Sequence, residues 1–115
     1  MQAVSTMGVK RGVPGVAAPR AAIRAADRIS AAQLVRAARG LLQGRLTPEQ
    51  ALGASPACGE MSDARLLWFR RVLEQYAADA ALRASDPDYA RLQYVELSVE
   101  TQSIRERYGM YRETL

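Results

Sequence analysis

The side chains best equipped for chemistry in this chain are arginines. Of its sixteen cationic residues only Lys10 is a lysine. A guanidinium is a planar fork of N–H donors that suits phosphate and carboxylate oxygens. Lys10, Arg11, Arg20, Arg24 and Arg28 lie in the first quarter of the chain, and the last three are spaced by four, so they share one face of a helix. Such a face could meet the backbone of a nucleic acid or an acidic partner. Residues 1–46 contain no Trp, Tyr or Phe on which a base could stack. Arginine in place of lysine also follows from a GC-rich genome, which the Ala and Gly content suggests.

Other chemistries find little to work with. The chain has no histidine, which removes the usual general base and the commonest metal ligand. Cys58 is the single cysteine, so it has neither a redox partner nor a catalytic histidine. Glu96 and Glu100 stand one helical turn apart, but no third ligand is in register, and they read as a solvated helix face. Gly8, Gly12 and Gly15 are not followed by the Gly-Lys-Ser/Thr of a phosphate loop. No catalytic residue, metal site or cofactor is therefore expected, and the chain reads as a non-enzyme.

The charge is divided along the chain. Residues 1–46 carry eight cations against Asp27 alone, and residues 47–115 carry eight arginines against eleven acids. A basic front and an acidic back can each meet something of opposite sign, including the other end of a second copy. No run of apolar residues is long enough to cross a bilayer, so stable membrane insertion is not expected. The first 26 residues hold four cations and no acid, a composition like a mitochondrial presequence, and they lack the apolar core of a secretory signal. An ordinary basic tail is the reading adopted, in a protein that is cytoplasmic or exported without a cleaved signal.

The elements that would position these residues are helices. Residues 1–19 are broken by Gly8, Gly12, Pro14, Gly15 and Pro19 and read as a flexible arm. A helix is expected over about 20–43. Ser30-Ala31-Ala32-Gln33 has the form of a capping box, so a break near Ile29 is expected, and Gly44 suits the position just past the end. Thr47-Pro48-Glu49-Gln50 is a second start signal for a short helix over 47–53, followed by a loop. Leu66, Phe69, Leu73, Tyr76 and Ala80 alternate at three and four within a helix expected over 63–84. Asp86-Pro87 then caps and starts a last helix over 87–113. So short a turn predicts an antiparallel hairpin, and the fold class expected is a small all-α bundle built on it.

The last helix has more apolar surface than one neighbour needs. Tyr94, Leu97, Thr101, Ile104, Tyr108, Tyr111 and Leu115 form an a/d seam. Tyr89, Leu92, Val95 and Val99 form a second stripe, offset around the helix. Gly109 interrupts the pattern and should weaken the last turn. The seam residues Tyr94, Leu97, Ile104, Tyr108, Tyr111 and Leu115 are the expected partner interface. Trp68 is expected to join them as an anchor while its neighbour Phe69 packs inward.

Asp86-Pro87, Leu92-Gln93, Ile104-Arg105-Glu106-Arg107 and Tyr111-Arg112-Glu113-Thr114-Leu115 resemble the C-terminal hairpin of type III secretion inner-rod and needle subunits and flagellar rod-junction subunits. The resemblance implies an exported subunit whose last helix packs in a helical polymer. Two functions are carried forward. One is a helical protein-interaction or assembly subunit that binds a protein partner or a second copy of itself. The other is a nucleic-acid-binding accessory protein using the arginine-rich front.

Overall fold

The computed structural model describes residues 23–110, and among them the chain is all-α, with no strand. The first helix, α1 (Ala25–Leu42), follows from a run rich in Ala, Leu and Val with no internal proline. Asp27, Ser30, Ala31, Leu34, Val35, Ala37 and Ala38 are its buried face, at the three-four spacing of an amphipathic helix. The expected break near Ile29 does not occur. Ser30 lies on the buried stripe, and a capping serine must instead leave helical geometry. Burial of the stripe holds the helix through Ser30, and Ile29 faces outward.

Helix α1 ends as expected at Gly44. Its φ is 75°, Gly44 N–H donates to Leu41 O at 3.2 Å, and Arg45 N–H donates to Gly40 O at 2.7 Å. These two bonds are the paired closure of a Schellman end. The short α2 (Pro48–Gly53) begins on a complete capping box. Gln50 N–H donates to Thr47 Oγ1 at 3.1 Å, and Thr47 N–H donates to Gln50 Oε1 at 2.9 Å. The following loop contains one 3₁₀ turn, Cys58–Glu60.

The helix expected over 63–84 is two pieces, α3 (Ala64–Ala78) and α4 (Ala80–Ser85). The break is at Asp79, with φ −93° and ψ 15°. Its carboxylate accepts from Gln75 Nε2 at 3.0 Å, from Tyr89 Oη at 2.7 Å and from Gln93 Nε2 at 2.9 Å. These bonds tie the break to Tyr89 and Gln93, farther along the chain. Arg83 closes the cluster by donating to Gln93 Oε1 at 2.8 Å, with its guanidinium 3.6 Å from the Tyr76 ring centre.

The last helix, α5 (Pro87–Arg107), begins as expected. Asp86 Oδ1 accepts from the Asp88 and Tyr89 N–H groups, each at 3.1 Å, and Pro87 occupies the first turn. It ends at Arg107 rather than at 113. Gly109 has φ 71°, its N–H donates to Glu106 O at 3.2 Å, and Met110 N–H donates to Arg105 O at 2.7 Å. Gly109 is therefore a terminator that favours its site, not a weak point inside a helix. Residues 1–19 lie outside the described residues.

One core joins these helices. Leu34, Val35, Leu66, Phe69, Leu73, Leu97 and Ile104 are fully buried within it, and Met61, Tyr108 and Met110 close one end. A polar lock sits beside that end. Asp27 of α1 accepts from Ser62 N–H at 3.0 Å and Ser62 Oγ at 2.7 Å. Asp63 caps α3 through Arg65 N–H at 3.0 Å and accepts from Arg107 Nε and Nη2 at 2.8 and 3.1 Å. The Tyr108 hydroxyl also donates to Asp63. At the opposite end of α3, Asp79 holds Tyr89 and Gln93 near the start of α5.

Burial pushes the Asp27 and Asp63 pKa values upward, but donors outweigh it. Ser62 and Arg24 hold Asp27, and Arg107, Tyr108 and the Arg65 amide hold Asp63, below the ordinary carboxylate range. Burial and the Asp63 charge raise the Tyr108 phenol. Depressed carboxylates contribute stability that is present above their unfolded pKa of about 3.9 and lost as pH falls through the folded value. Chemical denaturation from pH 7 downward should show stability flat to about pH 5 and falling below it. Asp63→Asn should reduce both the stability at pH 7 and the steepness of that acid limb. A separate test concerns the core: Leu97→Asp should cost about 3 kcal/mol or more and leave the chain largely unfolded by circular dichroism.

Candidate protein-interaction face

The expected interface divides on inspection of burial. Leu97, Ile104 and Tyr108 are 1%, 0% and 4% exposed, and Thr101 is buried beside them. The seam from Leu97 to Tyr108 is thus the chain's own core and is not presented to a partner. The reason is geometric. α5 turns one face to α1 and α3 together, so a single stripe satisfies both neighbours. Tyr94, at the head of the seam, is half exposed. Tyr111 and Leu115 lie outside the described residues, as do Lys10, Arg11 and Arg20.

The arginine face is altered as well. Arg24 reaches Asp27 at 3.4 Å, one partner of its charge being a buried carboxylate. Arg28 is half-buried and also engaged in an electrostatic or polar interaction. Two of the three arginines expected on one binding face are therefore occupied within the fold.

The second stripe is what remains outward. Val95 and Val99 are 52% and 61% exposed, and Leu92 lies one turn earlier on the same side of α5. Trp68 of α3 is 52% exposed, while Phe69 is fully buried, the division expected from their neighbouring positions. Trp68 and Val72 line a cleft of about 330 Å³ with Val95, Glu96, Val99 and Glu100. A second cleft of about 250 Å³ shares Trp68, Val72 and Glu96 with it and extends toward Arg71 and Tyr76. The result is an apolar strip along the α3–α5 junction.

Polar groups rim the strip. Arg65 pairs with Glu100 and donates to Ser103 Oγ at 3.1 Å, which fixes one side of the cleft. Arg70 pairs with Glu74 and donates to Pro56 O at 2.8 Å, so α3 is tied to the preceding loop. Glu96 is exposed at the rim. An apolar centre with a charged rim is the ordinary make-up of a protein-binding surface. Leu92, Val95 and Val99 were legible in the sequence as a stripe in need of a partner. The signal that would have chosen them over the seam is that Leu97, Thr101 and Ile104 must already serve two helices.

Among the described residues no group of three His, Cys, Asp or Glu side chains is arranged to hold a metal ion. Cys58 is exposed in the 3₁₀ turn. No described helix is long and apolar enough to cross a membrane. No protein-family model matches the chain, and no curated protein or solved structure matches it.

The contrast between the adjacent aromatics is measurable. Trp68→Ala should cost less than about 1.5 kcal/mol of folding stability, since half of the ring is already in water, whereas Phe69→Ala should cost about 3–5 kcal/mol. Urea denaturation of the two variants measures the difference.

Proposed function

We propose that this chain is a non-enzymatic helical assembly subunit that associates through the α3–α5 strip. One observation carries the reading: Trp68, Leu92, Val95 and Val99, all large and apolar, remain outward while the same helices have closed a full core. Trp is the residue type most often found as a binding anchor, and its cost in water is recovered only when something covers it. The occupant favoured first is a second copy of the chain, because an outward stripe on a helix matches itself across a two-fold axis.

The resemblance to axial subunits of secretion systems supports assembly as a class of function. It does not supply the contact surface, since α5 stops at Arg107 where those proteins continue their last helix. Binding of nucleic acid through Arg20, Arg24 and Arg28 is not favoured, because Arg24 is paired with Asp27.

Sedimentation velocity over a wide concentration range should show association of the wild-type protein. Val95→Asp with Trp68→Ser should weaken it about thirtyfold or more with the helical content retained, since both side chains are half exposed. A wild-type protein that stays monomeric throughout, or a double variant that associates as well as wild type, rejects this face.

A further inference from the structure

Ile23 stands at one end of the apolar strip. It lines a polar hollow of about 280 Å³ with Asp63, Ala64 and Arg107, where α3 starts and α5 ends. From there one face runs on along both helices. Ala64, Trp68 and Val72 stand four residues apart on α3, and Arg107, Ser103, Glu100 and Glu96 follow at spacings of three and four on α5. Arg65 spans the two helices on this face, pairing with Glu100 and donating to Ser103 Oγ at 3.1 Å. The path from Ile23 therefore leads over Arg65 into the cleft lined by Trp68, Val95 and Val99.

The sequence before Ile23 has the chemistry that this path asks for. Trp68, Val95 and Val99 are each at least half exposed. Among the described residues lining their cleft, Glu96 and Glu100 are acids and none is a cation. Arg65 already pairs with Glu100, whereas the exposed Glu96 has no hydrogen bond or ion pair among the described residues. Arg71 stands farther along, in the second cleft. Residues 1–22 supply Val4, Met7, Val9, Val13 and Val16 with Lys10, Arg11 and Arg20, and hold no acid. Pro14 and Pro19 suit an extended chain and oppose a helix. Arg107 to Val95 spans about 18 Å of α5. An extended chain counted back from Ile23 covers that in about six residues, which brings Arg20 to the level of Glu100 and Val16 past Val95.

We propose that residues 1–22 lie along the α3–α5 strip of their own chain, with their valines on Trp68 and Val95 and a cation at Glu96. The proposal rests on the assembly reading only in taking the same strip as a docking surface, and it adds what a second copy must displace. A tethered segment meets its site at an effective concentration of about millimolar, so even a weak contact competes with a second copy.

The test uses the full chain. Trp68 is its single tryptophan, so fluorescence reports cover over the strip. Acrylamide quenching of Trp68 is measured over a wide range of protein concentration. Val13→Asp with Val16→Asp changes only residues before Ile23. At the lowest concentration this double variant should be quenched about twofold more readily than wild type, with its circular dichroism unchanged. Glu96→Arg should expose Trp68 to a similar degree, since it repels the cations of the segment. Sedimentation velocity should show the double variant associating about threefold more tightly than wild type, because nothing competes for the strip. Equal quenching of wild type and the double variant overturns the proposal and leaves the assembly reading standing. So does a Trp68 that Glu96→Arg leaves unaltered. A quenching difference in a protein that stays monomeric at every concentration supports the cover and rejects assembly instead. A difference that vanishes on dilution overturns cover within one chain, in favour of segments exchanged between copies.

Discussion

Asp63 is the side chain on which the arrangement of these helices depends. A carboxylate offers about four lone-pair positions, and the donors of Arg65, Arg107 and Tyr108 occupy them. One residue thereby starts α3 and grips the last turn of α5. Its neighbour Ser62 donates twice to Asp27, so adjacent residues join α1, α3 and α5. The core beside them is rich in Ala31 and Ala38, which bring helices close but bury little area each. Apolar contact alone would leave such helices room to slide. Directional bonds to two fixed carboxylates define their register.

The same logic operates at the far end of α3. The helix breaks at Asp79, and the Asp79 carboxylate holds Gln93 and Tyr89 of α5. α5 is therefore pinned near both termini by acids from the preceding segment, with Leu97, Thr101 and Ile104 packed between the pins. A helix held in this way has a fixed rotation about its axis. Its inward face is decided, and so are the two faces that stay outside: Val95 and Val99 toward α3, and Tyr94, Ser98 and Gln102 toward α1.

How far the sequence could be read follows from which interactions are local. Thr47-Pro48 and Asp86-Pro87 start helices as expected, because a cap needs only the next three residues. Gly44 ends α1 as expected for the same reason. The failures are the places where a distant contact decides. Ser30 has the spacing of a cap, yet its burial against the core keeps it helical. Asp79 lies on an unbroken helical pattern, and the side chains bonded to it at the break, Tyr89 and Gln93, come from the next long helix. Gly109 reads in sequence as an interruption within the helix, and the left-handed backbone that makes it an end is not visible in a periodicity. The a/d seam was correctly apolar, but periodicity says that a stripe is covered and not by what. The polar lock left no local sign, since Asp63 and Arg107 are far apart in the chain.

That distinction bears on how the two outward faces could act. Both belong to a helix whose position is over-determined by Asp63 and Asp79, so neither needs the backbone to reorder before something binds. Binding to a preformed surface avoids most of the ordering cost that flexible segments incur. It also limits what one face can tell the other. A ligand shifts a conformational equilibrium only by its difference in affinity for the two states, so a signal along α5 needs a second arrangement of these bonds. The apolar strip is in consequence a surface on a helix pinned at both ends by Asp63 and Asp79. Communication between the two outward faces would require loosening Asp63 or Asp79 first, which places any coupling in those carboxylates rather than in the packing of α5 itself.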